Sequence, residues 1–268
     1  MENRKKIIVG AWKAYLDRAS AEKTALALKN WRLNESKKSD YDIVLSPSFP
    51  HLFLIENIIS ETNIALSAQD VDPVTMGAYT GHIPPQILLD VGCEYVILGH
   101  SELREMKDYD RKSINLKVKA ALESGLKVIL CIGEKASQKA SGHTYEQLTG
   151  QIESALVNID EKYVKNNLDI AYEPVWAISS QNPVEPPSPQ EINTINEKLR
   201  AVIKKQFSKD TANSIRLLYG GSVNANNVCG YLNETLIDGV LVGSASTKLP
   251  GFIDLLDAVE HKVPSLLA

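Results

Sequence analysis

A carboxylate, an imidazole and an ammonium group each follow a short apolar run in this sequence. Glu173 stands between residues 170–172, which read Ile-Ala-Tyr, and a proline; His100 and Lys13 also follow apolar runs. An ionised carboxylate in an apolar setting is costly unless it is paired or used. Together the three groups could move protons and stabilise negative charge. Singly, each has an ordinary alternative: a paired structural Glu173, a core His100 and a solvated Lys13.

Two glycine-containing turns suggest a place for an anion. Gly220-Gly221-Ser222 and Gly243-Ser244-Ala245-Ser246 each follow an apolar run. Glycine lets backbone N–H groups approach a ligand, and a helix N-terminus presents unpaired donors. Either turn alone could be an ordinary tight turn. The pair, in consecutive positions, favours a phosphorylated substrate.

Short apolar runs recur at a steady interval and predict eight strands. Their hydrophobicity is continuous rather than alternating, which indicates parallel strands covered on both faces. The predicted strands are Lys6–Trp12, Tyr41–Ser46, Ile64–Ala68, Tyr95–Gly99, Val128–Gly133, Asp169–Tyr172, Ile215–Tyr219 and Gly239–Gly243.

Amphipathic segments between these runs predict helices, namely Ser20–Trp31, Ser113–Leu122, Tyr145–Val157 and Pro189–Phe207. The last begins with Ser-Pro-Gln-Glu, a helix start signal. Strand–helix units without a linker predict an α/β fold, a single (β/α)8 TIM barrel domain over residues 1–268; a doubly wound open sheet is the alternative. In a barrel, the carboxyl ends of the strands share one rim, so the candidate residues would converge on one pocket.

The composition narrows the function class. The net charge of −4 argues against a general nucleic-acid or membrane surface but allows an anionic substrate in a local positive pocket. The apolar runs have strand length and no signal-peptide core precedes them, so we expect no membrane span or secretion. The cysteines Cys93, Cys131 and Cys229 are an odd number without zinc-site spacing. We therefore expect free thiols, a cytoplasmic location and no metal site.

Other polar residues near the strand ends have simpler expected roles. Glu102 and Glu134 would cap helix N-termini or form salt bridges at the rim. Cys131 would fill the core, because no neighbouring motif would lower its pKa.

Segments over nearly the whole chain resemble the triosephosphate isomerase family. The most diagnostic are Gly99-His100-Ser101-Glu102 and Tyr172-Glu173-Pro174-Val175-Trp176-Ala177, in this order and at this separation. The resemblance implies a homodimeric barrel that interconverts dihydroxyacetone phosphate and glyceraldehyde 3-phosphate in glycolysis and gluconeogenesis, without a metal or organic cofactor. The matching segments are 9–13, 77–81, 98–104, 130–134, 171–178, 219–223 and 239–246.

The resemblance also implies a role for each site residue. Glu173 would be the base that moves a proton between adjacent carbons, His100 would polarise the carbonyl as a neutral imidazole, and Lys13 would stabilise the phosphate and the enediolate. The lid Trp176–Gln181 would close and exclude water. Phosphate would be held at Lys13, Ser179, Ser222, Gly243 and Ser244, with Ser101, Glu102 and Tyr219 as supporting residues.

The chain departs from the family pattern within the site. Ala11 stands where the family has an asparagine that contacts the substrate, and losing such a contact is expected to cost about 1–3 kcal/mol. The lid segment Ser179–Pro189 is rich in proline instead of glycine, which narrows its conformational range. Ser244 replaces a glycine but keeps the N–H donor.

The dimer positions differ as well. His82, Leu103 and Tyr109 replace charged residues that the family uses at its subunit interface. The loop Gln69–Gly77, which the family inserts into the neighbouring subunit, keeps its length, so we expect a homodimer with a modified interface. Two alternatives stay open: an isomerase of another short sugar phosphate, such as a tetrulose phosphate, or a catalytically weak barrel with a binding role.

Overall fold

The strands form a closed parallel barrel, with each strand pairing to the next in sequence and the last pairing to the first. The computed structural model describes residues 4–34, 40–106, 109–178 and 185–263. Each strand overlaps the run that predicted it, which confirms the (β/α)8 barrel and excludes an open sheet. The strands are β1 Lys6–Ala11, β2 Tyr41–Ser46, β3 Ile64–Ala68, β4 Cys93–Leu98, β5 Lys127–Ile132, β6 Leu168–Tyr172, β7 Arg216–Tyr219 and β8 Gly239–Val242.

Helices surround the barrel and connect consecutive strands. Short 3₁₀ turns lie at Phe49–His51, Val175–Ala177 and Ser244–Thr247. The helices are α1 Arg18–Asn34, α2 Leu52–Ile59, α3 Pro85–Asp90, α4 Ser101–Arg104, α5 Arg111–Ser124, α6 Ala136–Ala140, α7 Thr144–Leu156, α8 Glu161–Val164, α9 Pro189–Gln206, α10 Lys209–Ser214, α11 Val228–Leu232 and α12 Gly251–Lys262. None of these described helices is long and apolar enough to cross a membrane.

Local signals explain where the longer helices begin and end. At α9, the Ser188 hydroxyl accepts from the Glu191 N–H while the Glu191 carboxylate accepts from the Ser188 N–H, a reciprocal capping box. At α5, the Asp110 carboxylate accepts from the Ser113 N–H at 2.7 Å. The same helix ends at Gly125, which has a left-handed φ of 95°.

Apolar side chains fill two separate layers, because successive residues of a strand point to opposite faces of the sheet. One set packs inside the barrel. The other lies between the strands and the surrounding helices, with Trp12, Leu28 and Phe252 among its fully buried members. The side chains packed inside the barrel therefore support the rim on which the strand ends lie. The inner set is Ile7, Val9, Ala11, Val44, Tyr95, Ile97, Ile129, Cys131, Ala171, Leu218 and Leu241.

Candidate active site

A cavity of about 350 Å³ opens at the carboxyl ends of the strands. Lys13, His100 and Glu173 all line it, and so do the turns after β7 and β8. The structure thus brings together three residues that are 73 or more positions apart in sequence. The cavity is also lined by Ala11, Ile178, Gly220, Gly221, Ser222, Val223, Asn224, Leu241, Gly243, Ser244, Ala245, Lys248 and Gly251.

Lys13 has a left-handed backbone, with φ at 51°. This conformation is strained for a non-glycine residue, which keeps it only where its surroundings hold it. Here its carbonyl oxygen accepts two hydrogen bonds at 2.9 Å, from Ser48 Oγ and from Gln69 Nε2. Its ammonium Nζ lies 2.8 Å from Glu102 Oε1. The salt bridge predicted for Glu102 at the rim is therefore present, with the candidate lysine as its partner.

His100 lies immediately before α4, with its side chain 11% exposed. Its Nδ1 accepts a hydrogen bond from the Glu102 N–H at 3.3 Å. A ring nitrogen that accepts carries no proton, so the neutral ring carries its proton on Nε2. Nε2 lies 3.2 Å from Glu173 Oε1. The imidazole can therefore present an N–H into the cavity.

Glu173 is 3% exposed although it lines the cavity. Its backbone N–H donates to the Ile132 carbonyl at 2.7 Å. Its carboxylate faces the His100 ring on one oxygen and accepts from the Ser101 N–H at 3.4 Å on the other. Beside it, burial and the neighbouring carboxylate raise the pKa of the Cys131 thiol well above its usual value, so this cysteine is core filler, as the sequence suggested.

The two glycine turns line the same cavity as Glu173 and His100. The turn after β7 packs directly against the base, because a Cβ on Gly220 would lie 2.7 Å from Glu173 Cγ. Ser222, Gly243 and Ser244 line the cavity, and Lys248, which the sequence did not single out, adds a second cation. Ser222 Oγ donates to the Ala177 carbonyl at 3.2 Å, which ties the turn after β7 to the segment after β6. The predicted phosphate residue Ser179 and the rest of the predicted lid through Gln181 lie outside the described residues.

Close packing explains one of the turn glycines. A Cβ on Gly221 would lie 2.0 Å from the hydroxyl oxygen of Tyr219. No real Cβ contact is that short, so the buried Tyr219 requires glycine at this place. Burial also raises the pKa of the Tyr219 hydroxyl, so it is neutral. This places the supporting residue Tyr219 directly under the turn.

Glu134 differs from its expected role as a helix cap or rim partner. It is 1% exposed, and its Oε1 accepts from Tyr172 Oη at 3.1 Å and from Trp176 Nε1 at 2.9 Å. Burial raises the pKa of its carboxyl. On the other side, Lys139 Nζ lies 3.3 Å from the centre of the Trp176 ring. Glu134 therefore anchors the start of the segment that the resemblance assigns to the lid.

The site has the groups for proton transfer next to a carbonyl. It offers a buried carboxylate, an imidazole N–H and an ammonium within one cavity, which two glycine turns also line. Among the residues that the structure describes, no group of three or more His, Cys, Asp or Glu could hold a metal ion. The wall at Ala11 and Leu241 is apolar and offers no side-chain hydrogen bond to a substrate.

Comparison with known proteins shows the family to which this chain belongs. A family model described as triosephosphate isomerase matches residues 6–259. The triosephosphate isomerase of Fusobacterium nucleatum is 39% identical over 255 residues, which cover 95% of this chain and 99% of that protein. That of Geobacter metallireducens is 38% identical over 249 residues, covering 93% and 96%. That of Alkaliphilus oremlandii is 36% identical over 254 residues, covering 95% and 99%. The chain belongs to the triosephosphate isomerase family.

Proposed function

We propose that this protein interconverts dihydroxyacetone phosphate and D-glyceraldehyde 3-phosphate through an enediolate. One observation carries the proposal: a buried Glu173 carboxylate lies 3.2 Å from the His100 Nε2 in a cavity that Lys13 and two glycine turns also line. The matched relatives are named for this activity. The family and the geometry therefore support the same chemistry.

Each group has one task in the proposed reaction. Glu173 removes a proton from the carbon beside the carbonyl and returns it to the adjacent carbon. The Nε2–H of His100 donates to the carbonyl oxygen, which becomes the enediolate oxygen. That oxygen takes up the proton that the neighbouring hydroxyl gives up, so one carbonyl is lost as the other forms. Lys13 adds positive charge near the phosphate and that oxygen. Ser222, Gly243 and Ser244, with Ser179, bind the phosphate, while Ser101, Glu102 and Tyr219 hold these groups in place.

Steady-state kinetics tests the proposal. Glyceraldehyde 3-phosphate is supplied to the purified protein, and a dehydrogenase reports dihydroxyacetone phosphate. We expect kcat/KM of about 10⁷–10⁸ M⁻¹s⁻¹, in the range of efficient enzymes. Glu173→Gln should lose most activity while inorganic phosphate inhibits as before. Near-wild-type turnover by this variant would contradict the assignment of the base.

A four-carbon sugar phosphate is the second candidate substrate. The observation that favours it is Ala11, a small apolar residue in the cavity wall, where a longer substrate would find space. Relative kcat/KM on three- and four-carbon substrates decides between the two. A clear preference for the tetrulose phosphate would replace the first proposal.

We further propose that the chain is a single cytoplasmic domain that forms a homodimer through the loop Gln69–Gly77. In this region the large side chains of Met76 and Tyr79 are 66% and 48% exposed. Neighbouring exposed apolar side chains of this kind are typical of a surface that a partner covers. The loop's start is held firmly, since Asp70 binds both Tyr109 Oη and Lys117 Nζ at 2.9 Å. A rigid base with exposed apolar side chains suits insertion into a partner. Sedimentation equilibrium showing only monomer at micromolar concentration would refute this.

A further inference from the structure

A glutamine outside the barrel binds the backbone beside the candidate base. Gln151 lies on α7 and is 3% exposed. Its Nε2 donates to the Gly133 carbonyl, and its Oε1 accepts from the Gly133 N–H, both at 2.8 Å. The side-chain amide thus satisfies both backbone groups of one residue, as a neighbouring strand would. Gly133 directly follows β5, where the ladder to β6 ends.

Gly133 in turn lies directly against Glu173. An ideal Cβ on Gly133 would be 1.9 Å from the Glu173 carbonyl oxygen, so the two backbones touch without a side chain between them. The residues on either side complete the contact. The Ile132 carbonyl accepts from the Glu173 N–H at 2.7 Å, and the Glu134 carbonyl accepts from the Val175 N–H at 3.1 Å. Residues 132–134 therefore fix the backbone that carries the base.

We propose that Gln151 is a positioning residue for Glu173, acting through Gly133. The inference rests on the proposed function, because a base needs accurate placement only if it moves a proton. Without the amide, the partly buried N–H and carbonyl of Gly133 lose their partners, and the backbone shifts to find others. No side chain separates Gly133 from Glu173, so a shift of the Gly133 backbone moves the Glu173 backbone directly. A displacement of about 1 Å is enough to slow chemistry strongly.

The effect should fall on proton transfer and spare substrate binding. Lys13 and the turn after β8 follow β1 and β8, away from the contact between α7 and β5. We therefore expect Gln151→Leu to lower kcat at least about tenfold, with KM and inhibition by inorganic phosphate unchanged. Deuterium at the abstracted position should slow the variant more than the wild type, because proton removal becomes rate-limiting.

A matched control lies one turn earlier on the same helix. Gln147 is partly exposed, and its Oε1 accepts a 3.4 Å hydrogen bond from Arg111 Nη2 at the surface. Gln147→Leu makes the same chemical change without touching Gly133. It should keep wild-type kcat, KM and isotope effect. Rates are divided by the folded fraction measured by circular dichroism.

A second variant tests the two hydrogen bonds themselves. Gln151→Glu can accept from the Gly133 N–H, but it can donate to the Gly133 carbonyl only when its carboxyl is protonated. Its kcat relative to the wild type should therefore rise as the pH falls. A purely structural role would lower the folded fraction without this pH dependence.

Three results would overturn the inference. Wild-type kcat in Gln151→Leu would show that the base needs no such support. A loss of activity that follows only the folded fraction, with an unchanged isotope effect, would leave a structural role alone. All assays use the three- or four-carbon substrate that the wild type turns over faster. A wild type that converts neither substrate overturns this inference and the proposed function together. An active wild type with an unaffected Gln151→Leu variant overturns the inference alone.

Discussion

Alanine at position 133 is expected to reduce kcat about a hundredfold. Its Cβ would lie 1.9 Å from the Glu173 carbonyl oxygen, whereas real Cβ contacts stay beyond 3.0 Å, so the two backbones must separate by 3.0 − 1.9 = 1.1 Å. A misplacement of about 1 Å in catalytic geometry can cost roughly a hundredfold in rate. That factor corresponds to about 2.7 kcal/mol in the activation free energy.

The coupled isomerisation assay measures this loss, with rates divided by the folded fraction from circular dichroism. Gly230→Ala is the control, because the nearest atom to its Cβ would be Pro189 Cγ at an ordinary 3.5 Å. The control should keep wild-type kcat. If folded Gly133→Ala turns over within about twofold of the wild type, the backbone contact does not govern the base, and the rate loss assigned to a misplaced carboxylate is wrong.

Three further substitutions test other contacts of the site and its support. Burial raises the pKa of the Glu134 carboxyl, so the folded protein binds the proton of this group more tightly than the unfolded chain does. Wild-type stability therefore falls as the pH rises from the usual carboxyl range through the raised pKa. Glu134→Gln should remove that loss, so urea unfolding across this pH range should increasingly favour the variant; a constant difference would contradict this. Glu102→Gln removes the salt-bridge partner of Lys13 but should change the unfolding free energy by less than about 1 kcal/mol, since Glu102 is half exposed. We expect kcat/KM to fall; an unchanged kcat/KM would show that the salt bridge does not support catalysis. Tyr109→Phe leaves Asp70 without one donor and should cost about 1–3 kcal/mol in urea unfolding, with wild-type stability as the opposing result.

The sequence was sufficient to predict the barrel, because its signals are local. Continuous apolar runs determine buried parallel strands, and the Ser188–Glu191 capping box fixes the start of α9 within a few residues. The convergence of Lys13, His100 and Glu173 followed from the same reasoning, since all strand ends of a barrel share one rim.

Contacts between distant parts of the chain could not be predicted in this way. Gln69 binds a carbonyl 56 positions earlier and Gln151 a glycine 18 positions earlier, and neither glutamine has a local sequence signal. Glu134 was expected at a helix end or in a rim salt bridge, but α6 begins with Lys135 as its cap instead. The partners of Glu134, Tyr172 and Trp176, come from the next strand and the segment after it. The hydrogen-bond partners of such side chains can be assigned only once the register of the strands is known.

The pairing of the first strand with the last, here called the seam of the barrel, affects how activity returns during refolding. Every other strand pairs with its neighbour in sequence, whereas β1 must find β8, as in the pairing of Ile7 with Gly239. Closing that loop carries the largest entropic cost, so it belongs late in folding. Lys13 follows one strand of the seam, and Gly243 follows the other. Recovery of catalysis after dilution from denaturant therefore reports the pairing of β1 with β8. The helical circular dichroism signal reports the earlier formation of the strand–helix units.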